Sequence, residues 1–395
     1  GRFIATTIVD KMRKEGLHVR YRLSDEGALV LPNIVETACL LHDIGNPPFG
    51  HFGEAAISAG AASFFGEKLL RPEVPAPGRR DLQDFLLFDG NPQGLRIITT
   101  LAGVDGLGMN LTLAQIAATV KYPCGVRDVN GESPSRKKGG VFTSEFSVWE
   151  KIREQFDLQP FQRFPLAFLM EAADDISYCL SDIEDGIEKG YTSHDEFYEE
   201  VRGNLIAADV NPAFLEGILE KSRQYKDSVE PTVYVRSQLI GTLVELAASA
   251  YVEKHEGIFA GSESSLLDKK SPHYLLLKAI RDTVESRLYG RPASVKLELA
   301  GYTAIHGILK RYEPLIALAA EEFAKLDEQR VPSHLVEAQR LFSLLPPKYL
   351  AAHRRGVVDS GDEQLHSRAQ LIIDFVAGMT DTFALSTYQM LNGIR

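Results

Sequence analysis

The chain has 395 residues, 44% hydrophobic and 25% charged, which is ample apolar material for a buried core and argues against disorder, collagen or coiled coil. No stretch approaches the roughly 20 uninterrupted apolar residues of a membrane-spanning helix, and three scattered cysteines (Cys39, Cys124, Cys179) exclude a disulfide framework and fit a reducing cytoplasm. A formal charge of -11 argues against coating nucleic acid by bulk electrostatics, so an anionic substrate would need a metal ion and a few placed cations.

Residues Phe3, Ile4, Ile8 and Met12 recur at helical spacing from the first residues onward and stop near Gly16. Pro32 followed by Asn33 and Glu36 reads as a helix start with a capping box, predicting a helix over 33–43 that ends at His42-Asp43. Ile44-Gly45-Asn46-Pro47-Pro48-Phe49-Gly50 cannot be helical, and Gly53 to Ile57 restarts a helix. Pro72 to Arg80 and Val126 to Gly140 read as surface loops, with Arg136-Lys137-Lys138 as solvated charge. Pro165 near N1 opens a core helix over 164–190, with Leu169, Ala172, Ala173, Ile176, Leu180, Ile183 and Ile187 near one face. Further helices are expected at about 233–255, 273–289, 297–327, 335–345 and 364–392, and strand-like alternation is rare. The predicted fold class is all-α, one core with appended helices.

The chemistry concentrates in two places. His42-Asp43 beside a Pro/Gly turn offers an imidazole and a carboxylate, a sensible ligand pair for a divalent cation. An isolated pair reads better as a histidine set against the end of a helix dipole. Here His51 and Glu54 follow, spaced i to i+3, and a carboxylate can orient a histidine that acts on water or on a leaving oxygen. The second place is Glu171-Ala172-Ala173-Asp174-Asp175-Ile176-Ser177-Tyr178. Adjacent aspartates amid apolar residues are costly without a cation, for which a metal is the economical answer, the alternative being that Asp175 faces solvent and Asp174 pairs with an arginine; Asp174 and Tyr178 share a helical face.

The run His42-Asp43-Ile44-Gly45-Asn46-Pro47-Pro48-Phe49-Gly50-His51-Phe52-Gly53-Glu54-Ala55-Ala56 resembles the signature of the bacterial dGTP triphosphohydrolases, a branch of the HD-domain phosphohydrolases. Phe88 to Arg96, Met109 to Thr112, Lys121-Tyr122-Pro123, Met170 to Cys179, Leu297 to Tyr302 and Gly378 to Asp381 extend the resemblance through nearly the whole chain. It implies an HD-domain catalytic core over 1–190 and a helical C-terminal part over 191–395 that completes the nucleotide pocket and carries oligomer contacts.

It also implies metal-dependent hydrolysis of dGTP, and by extension other dNTPs, to deoxyguanosine and inorganic triphosphate. Carried onto this chain, His42, Asp43 and Asp174 would be metal ligands for manganese or magnesium, and His51 and Glu54 the catalytic pair. Asn91, Lys121 and Tyr122 would line the substrate pocket, with Tyr178 against the deoxyribose. Glu298 with Arg330 or Arg340 would read guanine, and Tyr289 would stack on the base. The resemblance further implies a cytoplasmic homo-oligomer, a hexamer being one such assembly, and allows single-stranded DNA as an effector.

The family's metal site uses one more histidine, upstream of the residues matching Gly1-Arg2, so the visible ligand set is short by one, and His18 matches no motif. Two other readings stand beside the enzyme: an HD-domain nucleotidase or phosphodiesterase, and an idle nucleotide or DNA sensor. The small basic cluster His353-Arg354-Arg355 belongs to no part of the motif set and reads as a solvated helix end.

Overall fold

The computed structural model describes every residue except 70–81, 104, 226–229, 268, 289–291, 329, 357–360 and 395. The expected loop from Pro72 to Arg80 lies outside the described residues. In chain order the principal helices are α1 (Arg2–Lys14), α2 (Asp25–Leu41), α3 (Gly50–Leu69), α4 (Gly90–Arg96), α5 (Phe146–Phe156), α6 (Ala167–Glu188), α7 (His194–Ala207), α8 (Ala213–Ser222) and α9 (Glu230–Glu253). They continue as α10 (Pro272–Leu288), α11 (Pro292–Ala317), α12 (Val336–Phe342), α13 (Pro347–Gly356), α14 (Gly361–Ala377) and α15 (Asp381–Leu391). Among the described residues there is no strand, only an isolated bridge between Gly125 and Val141, so the all-α expectation holds.

The chain forms two units. The first comprises Gly1–Leu40, Ala117–Lys121 and Arg163–Ser294. Here α1 packs on α9, and α6 packs on both α9 and α10. Ile4, Ile8 and Met12 are buried from α1, as are Leu169, Ile176, Leu180 and Ile183 from α6, which is the face expected from the 3.6-residue period. The second unit comprises Leu41–Ile116, Tyr122–Gln162 and Val295–Arg395. Its core joins Ile57 and Phe65 of α3, Ile305, Ile308 and Tyr312 of α11, and Ile372, Phe375 and Val376 of α14.

Three features differ from expectation or were not expected. The helix predicted to start at Asn33 starts at Asp25 and runs through Pro32. Its true cap is Ser24, whose Oγ accepts from the Gly27 amide at 3.0 Å. Burial of Ala28, Pro32, Val35 and Ala38 on one face outweighs the missing proline hydrogen bond, and Glu36 binds Arg2 instead of capping. The helix predicted over 364–392 is two helices: α14 ends at Ala377 and Thr380 caps α15, its hydroxyl accepting from the Phe383 amide. Finally, α7 carries a complete capping box from Ser193 and Glu196, an S-x-x-E signal that the apolar periodicity alone does not reveal.

Candidate functional site

The loop from His42 to Gly50 is held by close backbone approach. A Cβ on Gly45 would lie 2.0 Å from the Gly90 carbonyl oxygen and 2.1 Å from the Gly94 nitrogen, so only glycine lets this loop lie directly on α4. Farther along, Phe49 adopts a left-handed φ of 62°, uncommon for a bulky residue. That conformation is clamped from two sides: the Phe49 amide donates to Asp381 Oδ1 at 2.9 Å, and its ring covers the Cα of Gly301, where a Cβ would fall 2.2 Å from the ring. A strained residue held by its surroundings immediately before a helix start is a common feature of functional sites.

α3 begins at Gly50 and places His51 and Glu54 in its first turn. His51 Nδ1 lies 2.7 Å from Glu54 Oε2; the His51 side chain is 84% exposed and that of Glu54 12%. The other carboxylate oxygen accepts from the Gly90 amide at 2.7 Å. Glu54 is thus anchored by main chain on one side while it orients an open imidazole on the other. With Nδ1–H donating to the carboxylate, Nε2 is the basic nitrogen facing outward.

α4 supplies the next layer. Asp89 caps it, accepting from the Asn91 amide at 2.9 Å and from Asn91 Nδ2 at 2.6 Å. Its second oxygen accepts from Lys138 Nζ at 2.5 Å. Burial works against the Lys138 ammonium, yet the bond and charge of Asp89, with Glu54 and Tyr122 acting in the same sense, hold its pKa above the ordinary lysine value. Lys138 is therefore no solvated charge, contrary to the expectation for Arg136-Lys137-Lys138. Arg136 is also engaged, donating to the Asp128 carbonyl and stacking over Phe161. Of the predicted residues, this unit thus gathers His51, Glu54, Asn91 and Tyr122, and it adds Asp89, Gly90 and Lys138.

In the other unit, the acidic stretch of α6 is compensated by protein cations. Lys121 Nζ lies 3.7 Å from Glu171 and 3.6 Å from Asp174, Arg163 binds Glu171 at 2.7 Å, and Arg281 lies 3.4 Å from Asp175. Burial pushes the Asp175 carboxyl up, Lys121 and Arg281 oppose this, and Glu171 and Asp174 reinforce it. The cost of burying these carboxylates accordingly does not by itself call for a metal. Tyr178, one turn beyond Asp174 on α6, is 52% exposed.

Glu298 is half-buried on α11, whereas Arg330 and Arg340 are exposed, and no hydrogen bond or ion pair among the described residues joins any of the three to His51 or Glu54. Tyr289 lies outside the described residues.

His42 Nε2 lies 3.3 Å from Asp43 Oδ2, an adjacent nitrogen and oxygen donor of the kind that suits Mg, Mn and related divalent ions. Among the described residues no group of three His, Cys, Asp or Glu side chains is placed to hold a metal ion. The pair fits as part of a metal site, and its donor chemistry is the basis for that fit.

An HD-domain family model matches residues 12–83, and a phosphohydrolase-associated domain matches residues 328–390. The chain is 34% identical to the deoxyguanosinetriphosphate triphosphohydrolase of Klebsiella pneumoniae (strain 342) and 33% identical to that of Enterobacter sp. (strain 638). In both alignments all of this chain is matched to 85% of the relative. The resemblance carried by His42 to Ala56 therefore extends over the entire sequence, and this chain belongs to the deoxyguanosinetriphosphate triphosphohydrolase family of HD-domain hydrolases.

Proposed function

We propose that this chain hydrolyses dGTP, and more slowly other dNTPs, to deoxyguanosine and inorganic triphosphate, with a divalent ion, manganese or magnesium, held by His42, Asp43 and Asp174. When bound, such an ion supplies charge that polarises a phosphoryl oxygen and lowers the pKa of water. The water oxygen bonds to the α-phosphorus, the bond from that phosphorus to the 5'-oxygen breaks, and the 5'-oxygen leaves as the deoxyguanosine hydroxyl. One proton must leave the water and one must reach the 5'-oxygen. His51 Nε2 handles a proton at one of these two atoms, with Glu54 fixing its tautomer and stabilising the imidazolium. The observation that carries this reading is the 2.7 Å contact between an exposed His51 and a Glu54 anchored on the Gly90 amide.

Lys121 and Lys138 are the cations proposed to meet the triphosphate, and Asn91 and Tyr122 are proposed as further substrate contacts. Tyr178 is proposed to exclude a 2'-hydroxyl; Glu298, Arg330 or Arg340, and Tyr289 are proposed to select guanine. The family resemblance supports a cytoplasmic homo-oligomer, such as a hexamer, with single-stranded DNA as an effector, and a division into a catalytic core over 1–190 and a C-terminal part over 191–395. No helix among the described residues is long and apolar enough to cross a membrane.

Chromatography of the products of dGTP with Mn²⁺ or Mg²⁺ tests the reaction. Deoxyguanosine and triphosphate in equal amounts are expected. Release of orthophosphate or pyrophosphate, or binding without turnover, would overturn it.

A further inference from the structure

The second unit contains a cavity of about 360 Å³ remote in sequence from the HD motif, between the short helix Ala320–Ala324, α12, α13 and α14. Its size falls in the range of small-molecule sites, about 300–1,000 Å³. Phe323, Phe342 and Leu350 form apolar lining, and His353, Arg354 and Arg368 bring nitrogen to it. The three basic residues are not equivalent. Arg354 is paired with Asp327, which also lines the cavity. His353 has its Nδ1 2.8 Å from the Ser367 hydroxyl, and burial keeps its pKa below the ordinary histidine value, so it contributes a neutral imidazole.

Arg368 is the unusual member. It is only 6% exposed, and its Nε donates to the Ile316 carbonyl at 3.0 Å. Its guanidinium carbon stands 5.7 Å from the centre of the Phe323 ring. Among the described residues no carboxylate lies within 4 Å of it, and its terminal amines have no hydrogen-bond partner. Burying a guanidinium without an anion is costly, and one carbonyl and one ring face offset only part of that cost. A cation so placed, at the wall of a cavity that also presents Phe323, Phe342 and Leu350, is matched by a ligand that is charged at one end and apolar at the other.

We propose that this cavity binds a small amphipathic anion, a carboxylate or phosphate joined to an apolar ring, with Arg368 meeting the oxyanion and Phe323, Phe342 and Leu350 enclosing the ring. Arg354 and Asp327 neutralise each other at the same cavity, which leaves Arg368 to set the sign of the ligand. This also gives the His353-Arg354-Arg355 cluster a place: two of its members line a ligand cavity on α13.

The test is calorimetric titration of the full chain with benzoate, phenyl phosphate, benzyl alcohol and inorganic phosphate. At least one of the two ring anions should bind at least about tenfold more tightly than both benzyl alcohol and inorganic phosphate, as expected for a hydrogen bond to a charged group. Benzoate against phenyl phosphate identifies which oxyanion the site prefers. Arg368→Gln should weaken that binding at least about tenfold, and Arg368→Lys should restore part of it. Leu350→Trp, which fills the cavity from its apolar wall without touching a charge, should abolish binding and keeps the test decisive should Arg368→Gln fail to fold. Equal affinity for benzyl alcohol, binding of no ring anion, or unchanged binding in Leu350→Trp would overturn the proposal. None of these measurements depends on nucleotide hydrolysis.

Discussion

Glu54 Oε2 lies 2.7 Å from His51 Nδ1, with the carboxylate shielded and the imidazole open. Because Oε1 is already committed to the Gly90 amide, the carboxylate cannot swing with the ring; it fixes the ring instead. Glu54→Gln retains an acceptor for Gly90 but cannot stabilise an imidazolium. The expected outcome is a fall in kcat of about 10²–10⁴, with a melting temperature close to that of the parent chain. A variant within tenfold of the parent in kcat would remove Glu54 from proton handling.

Lys138 is held on Asp89 with its pKa raised, so it presents a full positive charge throughout the neutral range. If it meets the triphosphate, Lys138→Met should raise KM for dGTP and lower kcat/KM by a factor corresponding to roughly 1.5–3 kcal/mol. Asp89→Ala should do more, because it also uncaps α4: a stability loss of about 1 kcal/mol is expected, read as the midpoint of urea unfolding. Asp89→Asn keeps the cap and discards the charge, separating the two effects. A kcat/KM for Lys138→Met equal to the parent's would exclude the lysine from the phosphate contacts.

The second unit holds a buried charged network around Asp374. That carboxylate accepts from Arg96 Nε and Nη2, from Gln93 Nε2 and from Gln370 Nε2, while Arg96 Nη1 donates to Glu145. It ties α4, the helix under the HD loop, to α14. Asp374→Ala would leave Arg96 with one carboxylate in a site from which water is excluded, and should cost about 3–5 kcal/mol. Urea unfolding of the variant checks this; a loss below 1 kcal/mol would mean that Arg96 finds another partner.

Apolar spacing made the helices legible, and the motif from His42 to Glu54 made half of the site legible, because both signals are local. The i to i+3 spacing of His51 and Glu54 is a property of one helical turn, and the structure realises it directly. Lys138 was illegible for the opposite reason. Its partner Asp89 is 49 positions away, and a lysine in a Gly- and Ser-rich loop looks solvated until the fold delivers a carboxylate to it. The acidic stretch of α6 shows the same limit: that adjacent aspartates need cations follows from the sequence, but that Lys121 and Arg281 provide them does not. The start of α2 departs from the local proline rule because burial of a whole helical face outweighs it.

His366 stacks on Phe85 at 4.8 Å, its Nε2 is buried without a partner among the described residues, and burial aided by the Arg96 charge lowers its pKa to about 4. An unfolded histidine titrates near 6.5, so between about pH 6.5 and 4 the unfolded chain binds a proton that the folded chain refuses. Stability from this residue is therefore at its plateau above pH 6.5 and declines as the pH falls toward 4, by roughly 3 kcal/mol in all at 1.36 kcal/mol per pH unit. His366→Phe preserves the stacking and removes the titration. The expected result is a flatter profile of unfolding free energy over that interval; an unchanged slope would assign the acid sensitivity to other groups.

Tyr178 offers the sharpest test of substrate choice, because it is about half exposed on α6 one turn from Asp174. An aromatic ring placed against the deoxyribose leaves no room for a 2'-hydroxyl, and its own hydroxyl can bond the 3' oxygen. Tyr178→Phe should then raise KM for dGTP through that lost hydrogen bond while still rejecting GTP, because the ring remains. Tyr178→Ala should open the space and raise the ratio of kcat/KM for GTP to that for dGTP by about tenfold or more, the scale of discrimination available to steric exclusion in a pocket. Both variants should melt with the parent chain, since a half-exposed side chain contributes little to stability. An unchanged GTP to dGTP ratio in Tyr178→Ala would take the residue out of the sugar site and move the basis of deoxyribose selection to another part of the pocket.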